Sequence, residues 1–176
     1  KSNKLLYSTL RRMYYWSGVV ISFIKHGRWL VNSCRVDGHY VEIKDKEWHC
    51  FFGYYDKSPW NESGRKIAFH QVRGVNSKDR RDAFAWICVF DGIANRLLRV
   101  DSTTAWNWQQ GSMLQWLRED TILYNKHAND GSLILAEYNL ESKELRTHSK
   151  PLYALGNFGR KYVSLNFNRL FVAGSG

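Results

Sequence analysis

The sequence predicts an all-β fold, and three of its features support that prediction. Aromatic residues make up 15% of the 176 residues, and their flat rings pack well on the pleated surface of a sheet. From His39 onward, short runs of alternating polarity are separated by turn residues, as they are between strands. A turn-then-strand phrase also recurs along the chain, which is typical of repeat architectures.

Residues 1–38 are predicted to be a separate arm that is basic, aromatic and helical. Residues 1–36 contain seven Lys or Arg and no acidic residue. The apolar run Met13–Ile24 has twelve residues, too few to cross the ~30 Å hydrocarbon core of a bilayer as a helix. We therefore expect residues 4–26 either to dock on the rest of the protein or to contact a membrane surface.

Residues 39–176 are predicted to form a partial β-propeller of about two and a half four-stranded antiparallel blades. The phrases "SGRKIAFHQ", "REDTILYNK" and "FGRKYVSLN" each enter a strand from a turn. With Ile67, Ile122 and Tyr162 at equivalent positions, the separations are 55 and 40 residues, near the ~40–50-residue period of propeller blades. The units are then 49–100, 101–148 and an incomplete 149–176.

The strands and turns of these units follow from the same pattern. The second unit is the clearest, with strand-like runs at 105–117, 121–127, 133–140 and 144–148. Turns are predicted where Asn and Gly cluster, at Asn61–Gly64, Asn129–Gly131 and Asn157–Gly159. The innermost strands of the three units are predicted at 50–57, 105–112 and 151–157.

The number of blades raises the question of closure. A closed propeller needs about four or more blades, and this chain supplies fewer and begins with Lys rather than Met. We expect it to be a fragment from the N-terminal part of a longer propeller, to be completed by another chain, or to form an open stack of antiparallel sheets.

Charge and cysteine usage argue against two classes of protein. Residues 51–150 contain fourteen basic and twelve acidic residues, whereas a nucleic-acid binder usually carries a basic patch on its folded surface. Nucleic-acid binding is therefore not expected. The three cysteines, Cys34, Cys50 and Cys88, form no C-x-x-C pair and are predicted to be buried free thiols. This favours a reducing, cytoplasmic location, with membrane association through the arm as the alternative.

Several phrases resemble known propeller families. "SPWNESGRKIAF" resembles the S-P-D-G-K-x-I-A-F turn of TolB-type six-bladed propellers, with two extra residues. "HCFFGYYDKSPWN", "WNWQQGSMLQWL" and "LYALGNFGRKYVSLNFNRL" resemble an uncharacterised bacterial propeller family associated with surface-polysaccharide gene clusters. The likeness covers residues 48–170 and implies the fold, but that family has no established chemistry to carry over.

The related oligogalacturonate lyases are propellers that cleave pectin fragments with metal-binding His and Gln residues. His49, His70 and Gln110 lie at loosely similar places, but they do not match that motif residue by residue. We therefore predict neither a metal site nor a cofactor.

Ligands of propellers usually meet the innermost strands, and these strands contain the candidate site. The predicted ligand-binding residues are Tyr54, Asp56, Trp106, Asn107, Gln109 and Gln110. On a strand, Trp106, Trp108 and Gln110 would share one face, and Asn107 and Gln109 the other. We expect the tryptophans to pack between blades, and the amides to bond either the backbone or a ligand. Rings beside amides suit sugars, which stack on aromatic faces and need directional hydrogen bonds.

Catalytic signals are weak. Asp56 and His70 are the only candidates, and Asp56 has the alternative role of stabilising a turn beside Lys57. A two-carboxylate glycosidase would need a second acid, for which Asp101 and Asp120 are available. The sequence contains no nucleophile-elbow, zinc-protease, phosphate-loop or dinucleotide motif.

The predicted function is therefore a non-catalytic binding or scaffolding propeller segment. It would recognise a glycan or a protein partner in bacterial polysaccharide metabolism. The alternative is a polysaccharide-active lyase or hydrolase whose remaining catalytic residues lie in blades outside this sequence.

Overall fold

The computed structural model describes residues 40–43, 47–73, 84–156 and 161–167, together with Ser17, Gly159 and Arg169. Nearly all of the predicted arm, including Cys34, lies outside these residues. The chain divides into two compact units, Lys1–Glu42 and Ile43–Gly176. Within the described part of the chain, no helix has the length and apolar character that a membrane crossing requires.

The described body is nearly all β, as predicted, and its sheets are antiparallel. The first sheet contains β1 (Trp48–Phe51), β2 (Lys66–Arg73), β3 (Ala85–Asp91) and β4 (Arg96–Thr103). The second contains β5 (Gln115–Arg118), β6 (Thr121–His127), β7 (Leu133–Asn139) and β8 (Leu145–His148). The strands β9 (Ala154–Leu155) and β10 (Tyr162–Val163) form a third, two-stranded sheet. Strand order follows chain order in both four-stranded sheets, as in a propeller blade.

Two of the three predicted turns are present, and each is closed by hydrogen bonds. In the first, Gly64 N donates to Asn61 O at 3.1 Å, while Asn61 Oδ1 accepts from Arg65 N and Lys66 N at 3.0 and 2.9 Å. In the second, Gly131 N donates to Ala128 O at 2.9 Å. The third, Asn157–Gly159, begins at residues outside the described part of the chain.

The sheets pack face to face through two apolar layers. Alternate residues of β6 point to opposite faces, so that Ile122 and Tyr124 meet the first sheet and Leu123 meets the third. The layer between the first two sheets contains Ala68, Ile87, Val89, Leu114, Ile122, Tyr124 and Ala136. The layer between the second and third sheets contains Leu123, Leu135 and Leu152. β6 is therefore buried on both faces, whereas β8 at the edge of the same sheet is exposed.

The predicted inner strand at 105–112 is wrong, because this segment folds into a tight loop. Asn107 and Gly111 form an isolated β-bridge, and Asn107 Oδ1 accepts hydrogen bonds from Gln109 N and Gln110 N at 3.0 and 2.7 Å. Gly111 and Met113 adopt positive φ angles of 59° and 60°. An Asn side chain that bonds the backbone two residues ahead favours a turn over a strand. The first strand of this sheet, β5, starts only at Gln115.

The other two predicted inner strands are shorter than expected. Of 50–57, only the first two residues belong to a strand, β1, and the chain then leaves the sheet. Of 151–157, only β9 is a strand. Leu152 and Leu155 bond Asn125 and Gln115 of the second sheet, whereas Lys57 N, after β1, donates to Tyr54 O within its own segment.

A buried polar side chain on the second strand of each four-stranded sheet holds the backbone of the next unit. His70 on β2 accepts at Nε2 from Ser112 N at 3.1 Å, and the Ser112 hydroxyl lies 2.8 Å from the same nitrogen. Asn125 on β6 accepts from Leu152 N at 2.7 Å and donates to Leu152 O at 2.8 Å. His70 and Asn125 are also equivalent in the sequence repeat that equates Ile67 with Ile122.

The segments beside the first strands of the first and third sheets are in contact. Lys57, which follows β1, places its ammonium 5.5 Å from the ring centre of Tyr153, just before β9. Sheets stacked in parallel lie about 10 Å apart, so the first and third would be separated by roughly twice that distance. The contact therefore brings the segment after β1 closer to the segment before β9 than a parallel stack of three sheets would.

His70 makes the packing of the first two sheets sensitive to acid. Burial lowers the pKa of His70 from 6.5 to about 4, so the unfolded chain takes up a proton at a higher pH than the folded one. Neutral His70 therefore contributes on the order of 3 kcal/mol to the free energy of unfolding. This contribution is complete above about pH 6.5 and is lost as the pH falls to about 4.

We expect His70→Asn, which keeps a hydrogen-bond acceptor but cannot titrate, to lose stability less steeply than the wild type between pH 6.5 and 4. Urea unfolding at a series of pH values measures this difference. Replacement of the exposed His49 by Asn is the matched control and should leave the slope of the wild type. Identical slopes for His70→Asn and wild type would contradict the assignment.

Candidate functional site

A cleft of about 500 Å³ opens between the loop that follows β1 and the strand β5. One wall belongs to the first sheet and the other to the second. The lining residues are Asp56, Lys57, Ser58, Trp60, Asn61, Glu62, Gln115, Trp116, Leu117 and Arg118. Its volume lies within the ~300–1,000 Å³ of small-molecule sites.

Pro59 ties the two walls together through its carbonyl oxygen. Ala68 N on β2 donates to Pro59 O at 2.8 Å, and Trp116 Nε1 on β5 donates to the same oxygen at 2.7 Å. Trp60 N is held by Ser58 Oγ at 3.1 Å, and Trp60 forms a β-bridge with Ile67. The loop backbone is thus held in place, while the side chain of Trp60 remains 51% exposed.

The charged pair at the base of the cleft is asymmetric in its exposure. Lys57 Nζ lies 2.9 Å from both carboxylate oxygens of Asp56, the ion pair expected from the sequence. The Lys57 side chain is 8% exposed and the Asp56 side chain 43% exposed. Lys57 is therefore enclosed by Asp56 and Tyr153, whereas the outer side of the Asp56 carboxylate can accept further hydrogen bonds.

The amides that line the cleft are already engaged in the structure. Gln115 Nε2 donates to Met113 O and Tyr153 O at 3.1 and 3.2 Å. Asn61 Nδ2 donates to Glu119 Oε1 at 2.7 Å. The polar side chains that remain at the surface of the cleft are those of Asp56, Glu62 and Arg118. The cleft thus offers two indoles, two carboxylates and a guanidinium.

Of the residues predicted to bind ligand, only Asp56 lines this cleft. Tyr54 packs against Tyr55 with ring centres 4.5 Å apart and the ring planes tilted by 31°. The ring centre of Trp106 lies 5.6 Å from that of Phe51 and 5.3 Å from that of Trp108, against which Trp106 packs edge-on.

The three predicted amides all belong to the 107–111 loop. The side-chain oxygen of Asn107 is used by the turn. Gln109 is exposed, and Gln110 is half-buried. The predicted residues therefore form two groups: Tyr54 and Asp56 after β1, and the loop that packs on Phe51.

His70 is fully buried and does not line the cleft, so its catalytic role stays a prediction. A serine hydroxyl beside an imidazole is the arrangement of an activated nucleophile, but Ser112 is buried as well. The same Nε2 also accepts from Ser112 N, so the pair fixes backbone rather than a reactive hydroxyl. Nδ1 has no hydrogen-bond partner among the described residues.

Asp101 and Asp120, the predicted second acids, are engaged between the sheets. Asp101 on β4 accepts from Lys126 Nζ at 2.7 and 2.9 Å and from Tyr124 Oη. Asp120 bonds Lys66 of β2. Burial and the Asp101 carboxylate raise the pKa of Tyr124. These contacts link the first sheet to the second, and neither acid lines the cleft.

The prediction that the cysteines are buried holds for Cys88 and is wrong for Cys50. Cys88 is a buried free thiol whose pKa is raised to about 12 by burial. Cys50 is exposed, on the strand β1 that forms the edge of its sheet among the described residues. Among the described residues, no group of three or more His, Cys, Asp or Glu is arranged to hold a metal ion.

Sequence reasoning missed Trp60, Glu62 and Arg118. All three lie outside the predicted inner strands, two of them in the turn "SPWNE" and one at the end of β5. A large aromatic side chain within a turn is a signal that could have identified Trp60, because turns rarely bury such a residue.

Comparison of the chain with models of known protein families, with curated proteins and with solved structures finds no match in any of the three. The interpretation of the cleft therefore rests on its own geometry.

The contacts of the 107–111 loop separate a structural residue from a surface one. Trp108 packs on Phe51 at 4.8 Å and is half-buried. We expect Trp108→Ala to lower the free energy of unfolding by about 2–3 kcal/mol, below the ~3–5 kcal/mol typical of a fully buried aromatic. Gln109→Ala, at an exposed position, should change it by less than about 0.5 kcal/mol. Urea unfolding measures both, and equal destabilisation would mean that the whole loop is core.

Proposed function

We propose that this protein is a non-catalytic, glycan-binding propeller segment and that the cleft between β1 and β5 is its binding site. The observation that carries the proposal is the exposed indole of Trp60, held on a rigid loop opposite Trp116 and beside the open Asp56 carboxylate. An apolar side chain that remains exposed in a concave site commonly contacts a ligand.

The chemistry of the cleft suits a sugar. The C–H face of a pyranose ring can stack on the Trp60 indole, while its hydroxyl groups donate to Asp56 or Glu62. Arg118 offers planar donors to ring hydroxyls or to the carboxylate of a uronic acid. Because Pro59 holds both walls, little conformational entropy is lost on binding.

The arrangement of the sheets supports the propeller part of the proposal. Strands that are ordered along the chain within each sheet, with contact between segments beside the first strands, are compatible with blades around a propeller axis. The resemblance of the sequence to a family associated with surface-polysaccharide gene clusters agrees with a glycan ligand. A protein partner is the alternative occupant of the same cleft.

Trp60 provides the direct test. In a glycan array that includes neutral and uronic-acid oligosaccharides, we expect Trp60→Ala to weaken binding by about tenfold or more, equivalent to ~1.4 kcal/mol. Its Tm should stay near that of the wild type, because the side chain is half exposed. Phe84→Ala removes another exposed aromatic side chain outside the cleft and should leave binding unchanged. Absence of binding to any glycan, or equal binding by Trp60→Ala, would contradict the proposal.

A polysaccharide hydrolase is the second candidate, and one observation favours it. Asp56 and Glu62 line the same cleft, and a pair of carboxylates is the catalytic equipment of most glycosidases. If the cleft hydrolyses glycans, Glu62→Gln should abolish the release of new reducing ends while binding persists. An absence of products from the wild type, with any bound glycan, would leave binding as the function.

The described part of the chain does not test three of the predictions made from the sequence. Contact of residues 4–26 with a membrane surface, the expected absence of nucleic-acid binding and the cytoplasmic location stay predictions. Flotation of the chain with anionic vesicles, compared with a chain lacking residues 1–36, would test the first of them.

A further inference from the structure

A second cleft, of about 590 Å³, lies at the end of the second sheet where β6 connects to β7. Three segments surround it: residues 131–133 in the turn between β6 and β7, residues 149–151 after β8, and residues 164–167 after β10. None of its lining residues belongs to the glycan cleft.

The second cleft differs from the glycan cleft in charge. Lys150 is the only charged residue among those that line it, whereas the glycan cleft contains the carboxylates of Asp56 and Glu62. Asp130, which precedes the lining residues 131–133, does not line the cleft, and its carboxylate accepts hydrogen bonds from Ser132 N and Oγ at 2.9 and 2.6 Å. An anionic group would therefore meet a cation without an opposing carboxylate in the lining.

Residues with hydrogen-bond donors share the lining of the cleft with Lys150. Ser149 and Ser164 contribute hydroxyl groups to the lining. Asn166 Oδ1 accepts from Arg169 N at 3.1 Å, so its amide nitrogen is left to donate. Ser132, whose hydroxyl hydrogen goes to Asp130, presents lone pairs that can accept from a ligand hydroxyl.

The backbone beside Lys150 is held in position from behind. Asn125 bonds both N and O of Leu152, and Tyr153 N donates to Val163 O at 2.8 Å. The segments before and after the cleft are thereby joined, which places Lys150 and Ser164 on connected backbone. A site with a fixed frame loses less entropy when a ligand binds.

We propose that this second cleft binds a phosphate group carried on a hydroxyl-rich ligand, the chemistry of a sugar phosphate. Lys150 pairs with the phosphate, and charge-assisted hydrogen bonds of this kind are about twice as strong as neutral ones. Ser149, Ser164 and the Asn166 amide donate to the remaining phosphate oxygens, and Ser132 accepts from a ligand hydroxyl.

The test is an NMR titration of the full chain with a hexose phosphate, the matching neutral hexose and inorganic phosphate. We expect saturable shifts of the Ser149 and Ser164 amides with the hexose phosphate, weaker ones with inorganic phosphate, and none with the neutral hexose. Lys150→Gln should weaken the binding of the hexose phosphate by about tenfold. Lys161→Gln removes the same charge from an exposed side chain outside the lining and should have no effect.

Two results would overturn the proposal. The first is equal affinity for the hexose phosphate and the neutral hexose, and the second is equal weakening by the two lysine variants. Trp60→Ala distinguishes this site from the glycan cleft, because it should leave the hexose phosphate titration unchanged even where glycan binding is lost.

Discussion

The contact between His70 and Ser112 is the interaction on which the rest of the structure depends. It joins β2 to the loop that leads into β5, and it does so where the two backbones have no room for a side chain. A Cβ atom on Gly111 would lie 2.5 Å from Cε1 of His70 and 2.9 Å from Phe52 O, and one on Gly53 would lie 2.8 Å from Gln110 O. This close approach determines where β5 begins, and thereby the wall of the cleft that contains Trp116 and Arg118.

The second and third sheets are joined by the same device with different chemistry. Asn125 occupies the position of His70 and bonds Leu152 with both ends of its amide, whereas His70 offers only an acceptor to Ser112. An amide does not titrate, so acid acts on one junction and not on the other. The two junctions both join neighbouring sheets by hydrogen bonds, yet their stabilities respond differently to pH.

Sequence reasoning identified what local pattern determines. The runs at 121–127, 133–140 and 144–148 became β6, β7 and β8 within a residue, because alternating polarity and Asn-Gly turns act over a few residues. The run at 105–117 was misassigned, because its Trp and Gln residues fit a strand as well as they fit a loop. What decides between them is the approach of Gly111 to His70, a contact between residues far apart in sequence.

The cleft escaped prediction for a related reason. Asp56 was found because it is the one carboxylate in the predicted inner strands, but its neighbours in the cleft come from a turn and from β5. Whether these neighbours can contact a ligand depends on which polar groups are already hydrogen-bonded within the protein. Gln115 and Asn61 were as plausible as any ligand-binding amide, yet both are consumed in joining sheets. Buried polar groups must find hydrogen-bond partners, so the side chains that join the sheets are not available to bind a ligand. Trp60 and Arg118 remain exposed in the lining of the cleft, and the proposed glycan site is built on them.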